Sequence, residues 1–78
     1  MKKQVFHYNI ILRPEPEGGF TVVVPALPGC ITYGKNLEEA KKMAYDAVDA
    51  YLSSAKKHGE IVFSDKDSLF ATLEIVHA

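Results

Sequence analysis

The residues with the most catalytic potential are the carboxylates. Glu38, Glu39, Asp46 and Asp49 fall within twelve positions, and Glu74 stands near the end of the chain. Metal-assisted phosphodiester cleavage would need several such acids converging from different elements onto bound cations. Between Val5 and Arg13, however, there is no acid at all. Glu38, Asp46 and Asp49 recur as the polar face of one helix, and Glu39 stands three residues after a capping residue, so this set reads as a solvated helix face. Cys30 is the one cysteine. A nucleophilic thiol needs a nearby base or a lowered pKa. None of His7, His58 and His77 is a local neighbour, and none has metal-ligand spacing with Cys30. Cys30 therefore reads as a small, half-buried residue after a turn. Gly18-Gly19 could cradle phosphate only between a strand and a helix N-terminus. Here the pair lies between two strands and marks a hairpin. We assign no catalytic, cofactor-binding or metal-ligating residue and expect no enzymatic activity.

The elements that position these residues are legible from periodicity. Residues 4–13 alternate, with Phe6, Tyr8, Ile10 and Leu12 on one face and Val5, His7, Asn9, Ile11 and Arg13 on the other. That pattern predicts a strand. Pro14 to Gly19 turns the chain, and residues 20–24 return as a second strand. Pro25-Ala26-Leu27-Pro28-Gly29-Cys30 interrupts again, with Pro28-Gly29 in type II turn order. Residues 31–33 make a short third strand closed by Gly34. Asn36 is a good N-cap, apolar residues recur at helical spacing from Leu37 to Ala55, and Gly59 is a natural stop, so a helix is predicted over about residues 37–57. Residues 60–68 are mixed, and Ile61, Val62 and Phe63 could cover a core edge. Leu69, Ala71, Leu73 and Ile75 alternate again and predict a last strand over 69–76.

Seventy-eight residues with 47% apolar and 24% charged side chains suit one small folded domain over 1–78. A core of this size is thin, and one cysteine permits no internal disulfide. Support from a partner or from a second copy is expected. Nine basic against ten acidic residues is poor electrostatics for binding a polyphosphate backbone. The paired lysines are dispersed among acids and read as solubilising. No apolar run approaches a membrane span, and the start of the chain lacks a signal peptide's apolar stretch, so a reducing cytoplasm is the expected compartment.

The predicted order is β-β-β-α-β, an α+β fold. Three strands form a meander, and a right-handed crossover through the helix brings the last strand parallel to the first. The expected sheet is four-stranded and mixed, in order 3-2-1-4, with the helix on one face. This order is also the opening of a ribonuclease-H-like fold, here without a first-strand acid. The face away from the helix would carry Val5, His7, Asn9, Ile11, Val23 and Val76. Such a partly apolar, uncovered surface is the candidate partner or oligomer interface.

From Gly18-Gly19-Phe20 to Tyr51-Leu52 the sequence resembles the HicB-like antitoxin family. The carrying residues are Gly19-Phe20, the turn with Pro25, Leu27, Pro28, Gly29 and Cys30, then Gly34, Leu37-Glu38-Glu39-Ala40, Ala47 and Tyr51-Leu52. The resemblance implies a truncated ribonuclease-H-like domain without catalytic acids. It also implies that the protein binds a small mRNA-cleaving toxin of the HicA kind and covers its catalytic surface, and that it forms homodimers or tetramers. Lys35 and Asn36 stand where the family often has an acid and a threonine, and Ala26 where an acid is common in the turn. Longer members append a DNA-binding domain, which residues 1–78 do not contain, so no direct DNA binding is expected of them. Two further readings compete with the antitoxin. One is an oligomeric adaptor or small-ligand carrier without a toxin, and the other is a minimal ribonuclease-H-like nuclease.

Overall fold

The computed structural model of the chain describes residues 5–62 and 64–78. Gln4, the first residue of the predicted first strand, and Phe63, in the mixed stretch, lie outside the described residues. Three strands and a helix follow in order: β1 (Ile11–Pro14), β2 (Phe20–Val23), β3 (Ile31–Gly34) and α1 (Leu37–Lys57). The strands form an antiparallel sheet in order β1-β2-β3. Its register pairs Ile11 with Val23 and Arg13 with Thr21, then Thr21 with Tyr33 and Val23 with Ile31.

Both turns do what their prolines and glycines require. In the first, the Gly18 N–H donates to the Glu15 carbonyl and the Glu15 N–H to the Gly19 carbonyl, each at 3.0 Å. Gly18 and Gly19 take the positive φ values that this closure needs. In the second, two β-turns follow one another. The Leu27 N–H bonds the Val24 carbonyl and the Cys30 N–H bonds the Leu27 carbonyl. Each turn has a proline at its first central position, and Gly29 at φ +78° completes the type II geometry of the second.

The helix has the predicted limits. Asn36 Oδ1 accepts from the Glu39 N–H at 2.8 Å, while Glu39 Oε1 accepts from the Lys35 N–H at 3.2 Å. The capping box thus closes one residue before the cap. At the other end the Gly59 N–H donates to Lys56 and the Glu60 N–H to Ala55. With Gly59 at φ +69° this is a Schellman ending. Gly34 lets α1 start directly against the sheet, because a Cβ there would run into the Ala40 backbone.

The helix covers one face of the sheet and forms two packed clusters. Val22, Ala40 and Ala44 are buried with Ile10, Leu12 and Phe20 around them. Val24, Leu27 and Cys30 are buried against Tyr8, Ile10, Ala47, Val48 and Tyr51. The even-numbered strand residues therefore face the helix, as the alternation predicts.

The predicted four-stranded mixed sheet in order 3-2-1-4 is not what forms. The observed sheet has three strands, all antiparallel. Residues 69–78 carry no strand or helix and every one is exposed, with Leu69 and Val76 both at 94%. With no paired fourth strand, the ribonuclease-H-like arrangement expected from β-β-β-α-β also fails, and the observed order is β-β-β-α. The first strand is shorter than predicted as well. A ladder forms only where a partner strand lies opposite, and β2 ends at Val23, just before Pro25. Residues 5–10 continue toward the N-terminus without a ladder.

The segment after the helix is tied to residues 7–9 instead. The Asp65 N–H donates to the His7 carbonyl and the His7 N–H to Ser64 Oγ at 2.8 Å. Asn9 Nδ2 donates to Asp65 Oδ2 at 3.1 Å and to the Ser68 carbonyl at 3.3 Å. These bonds form a latch that holds 64–68 beside the N-terminal segment.

Candidate interaction surface

The face of the sheet opposite α1 is built by the odd-numbered residues of the three strands. The register lines them up in two cross-strand rows: Ile11, Val23 and Ile31, then Arg13, Thr21 and Tyr33. Ile11 and Val23 are half-buried, whereas Ile31 is 62% and Tyr33 48% exposed. No described element covers these residues. The result is an apolar strip that continues into a polar one, with the Arg13 guanidinium at its edge. Tyr33 is held in place by its hydroxyl, which donates to the Gly18 carbonyl at 3.0 Å. Thr21 Oγ1 similarly donates to the Glu15 carboxylate. Of these residues, Tyr33 and Arg13 are of the types enriched at protein interfaces.

The structure separates the six expected interface residues. Ile11 and Val23 stand together on the open face as cross-strand partners. Val5 is 77% exposed on the segment leading into β1. His7 is exposed, but its backbone is engaged by Ser64 and Asp65. The Asn9 side chain is occupied by the latch. Val76 lies on the unpaired C-terminal segment, away from any strand. Ile31, Tyr33 and Thr21 were missed. Their signal was the register of the third strand, whose alternation runs over too few residues to assign a face without knowing what it pairs with.

The Pro25–Cys30 turn has a role in packing. Leu27 and Cys30 are buried at its base, while Pro25, Pro28 and Gly29 are exposed. Burial pushes the Cys30 thiol above its ordinary pKa, which favours the neutral thiol over the thiolate. Among the described residues no group of three or more His, Cys, Asp or Glu side chains gathers in metal-binding geometry. The Asp65 carboxyl is held below its ordinary value. A side-chain hydrogen bond with Ser68 is the main cause, partial burial opposes it, and bonds from Asn9 reinforce it. The group is part of the latch. No described helix is long and apolar enough to cross a membrane.

A second surface lies between residues 6–10 and the helix. It is an open cleft of about 370 Å³, lined chiefly by Phe6, Tyr8, Ile10, Ala44, Val48 and Leu52. Lys41, Tyr45 and Asp49 also border it. The Tyr8 hydroxyl is buried without a hydrogen-bond partner among the described residues. Its pKa is raised by burial first, and then by the nearby Asp65 and Tyr51.

Comparison with known proteins gives this meander, with its capped helix on one face and apolar strip on the other, a family. The model of the HicB-like antitoxins of bacterial toxin–antitoxin systems matches residues 8–73, and the chain belongs to that family. Among its relatives is a UPF0150 protein of Thermoplasma acidophilum, 43% identical over 58 residues, which cover 74% of this chain and 84% of that one. A UPF0150 protein of Helicobacter pylori is 36% identical over 90% of this chain and 96% of its own length. A protein named Antitoxin HicB 1, from Photorhabdus laumondii, is 44% identical over 41 residues, which are 53% of this chain and 26% of that longer protein.

Proposed function

We propose that this chain is a cytoplasmic antitoxin that binds a small mRNA-cleaving toxin of the HicA kind and blocks it by covering its catalytic surface. It acts as a single recognition domain over residues 1–78, by occupancy and without catalysis of its own. Membership of the antitoxin family carries the reading. The open sheet face supports it, because Ile11, Val23, Ile31 and Tyr33 form an ordered apolar strip that suits a protein partner better than nucleic acid. The net charge of -1 points the same way.

The test is co-expression with a HicA-type toxin encoded beside this chain. The expected result is relief of toxin-induced growth arrest and a complex that co-purifies through size exclusion. Unrelieved arrest with no complex would overturn the proposal and leave the adaptor or ligand-carrier reading in its place.

A further inference from the structure

We propose that an extended segment of the toxin adds to the sheet at the free edge of β3, paired through the backbone of Ile31 and Tyr33; this deepens the antitoxin reading and rests on it. The ladder fixes which backbone groups are open. The Val24 N–H donates to the Cys30 carbonyl at 3.0 Å, just beyond the pair Val23–Ile31. Bonded and non-bonded pairs alternate in an antiparallel ladder. Cys30, Thr32 and Gly34 therefore turn their backbone toward β2, and Ile31 and Tyr33 turn theirs to the outer edge. Among the described residues no hydrogen bond reaches the N–H or carbonyl of Ile31 or Tyr33, and the Tyr33 bond to Gly18 uses the hydroxyl. The opening has a closed end, because the next outward N–H, at Lys35, is taken by the Glu39 carboxylate at 3.2 Å.

The outer edge of β1 is less suited to pairing. Its outward groups belong to Ile10, Leu12 and Pro14, because the Glu15 N–H bonds the Gly19 carbonyl and places the odd residues of β1 against β2. Pro14 has no N–H to give. Natural edges are blunted by prolines and charges, and β3 carries neither from Ile31 to Gly34.

The occupant follows from the chemistry of the edge. Two N–H groups and two carbonyls repeat at about 6.8 Å, the spacing of alternate residues in a strand. Another extended backbone matches all four at once, which neither a nucleic-acid strand nor an apolar small molecule does. The same two residues put their side chains on the open face, Ile31 at 62% and Tyr33 at 48% exposure. Alternate side chains of an added strand would stand beside them and extend the Ile11–Val23–Ile31 row by one position. Edge and face are thus one continuous surface, and the incoming segment that fits it carries apolar residues at alternate positions.

Total synthesis of the 78-residue chain with an N-methyl group on Ile31 tests this docking. The methyl removes one edge donor and blocks a neighbouring strand, while every side chain stays in place. It is expected to leave the melting temperature unchanged and to weaken toxin binding, measured by calorimetry, by about tenfold or more. Hydrogen exchange on the unmodified chain supplies a second readout. The Ile31 and Tyr33 N–H groups are expected to exchange at least about tenfold more slowly with toxin bound. The Thr32 N–H, already turned to β2, is expected to be protected in both states. Wild-type affinity of the N-methylated chain, or unprotected Ile31 and Tyr33 amides in the complex, would overturn edge docking and leave the antitoxin reading standing. Failure of the unmodified chain to bind the toxin would overturn both. Protection of Ile31 and Tyr33 in the toxin-free chain that grows with concentration would put a second copy at the edge and overturn the proposal as well.

Discussion

Leu27→Ala separates a packing role for the Pro25–Cys30 turn from a contact role. Leu27 is 3% exposed and sits with Val24 and Cys30 against Tyr8, Ile10, Ala47, Val48 and Tyr51. Two consecutive turns hold it there, so the site cannot collapse easily around a missing side chain. Truncating a buried leucine costs about 2–5 kcal/mol when the neighbours cannot close in. A domain of this length has only about 4–12 kcal/mol in total. For its size class each kcal/mol moves the melting temperature by about 4–8 °C. Leu27→Ala is therefore expected to lower it by at least about 8 °C, while Ala26→Asp, one residue away and exposed, stays within a few degrees of wild type. The assay is thermal unfolding followed by circular dichroism at 222 nm. If Leu27→Ala melts with the wild type while toxin binding is lost, the turn is a contact loop and the packing argument fails.

Three other perturbations probe the frame. Gly34→Ala places a methyl against the Ala40 backbone and is expected to cost about 1–3 kcal/mol in urea unfolding; an unchanged midpoint would mean that α1 does not start against the strand. Asn36→Ala removes the Glu39 N–H acceptor and is expected to cost about 1 kcal/mol, with Asn36→Ser nearly neutral in the same titration. Asp65 is held below its ordinary value, so its contribution is present above the unfolded carboxylate pKa and is lost as pH falls through the folded one. The melting-temperature gap between wild type and Asp65→Asn should therefore be open at pH 6 and shrink toward zero in acid, and a gap that widens in acid would contradict the latch.

Sequence legibility followed the range of the forces involved. Asn36, Glu39 and Gly59 act within a turn of the backbone, and the helix limits they imply are the ones observed. The prolines and glycines of both hairpin turns likewise act locally. The fourth strand failed for a different reason. Alternation at 69–76 states that the segment suits a sheet, but a strand exists only through its partner, and no pattern names that partner. The same limit shortened the first strand. Tyr8 and Ile10 keep the predicted inward face, yet β2 stops at Val23 and offers them nothing to pair with. The open face was half legible. Ile11 and Val23 followed from alternation, Ile31 and Tyr33 required the register, and Asn9 was diverted by a carboxylate 56 positions away.

The most direct test of the central claim is the affinity of the cognate HicA-type toxin for Ile31→Asp, measured by calorimetry against the wild type. Ile31 is 62% exposed on the edge strand β3, at the end of the Ile11–Val23–Ile31 row, so the change leaves the fold intact. Losing an interface anchor of this kind costs about 2 kcal/mol or more, which is about thirtyfold in Kd. A loss of that size with an unchanged melting temperature is the predicted result. Wild-type affinity for Ile31→Asp would contradict the claim that this face holds the toxin.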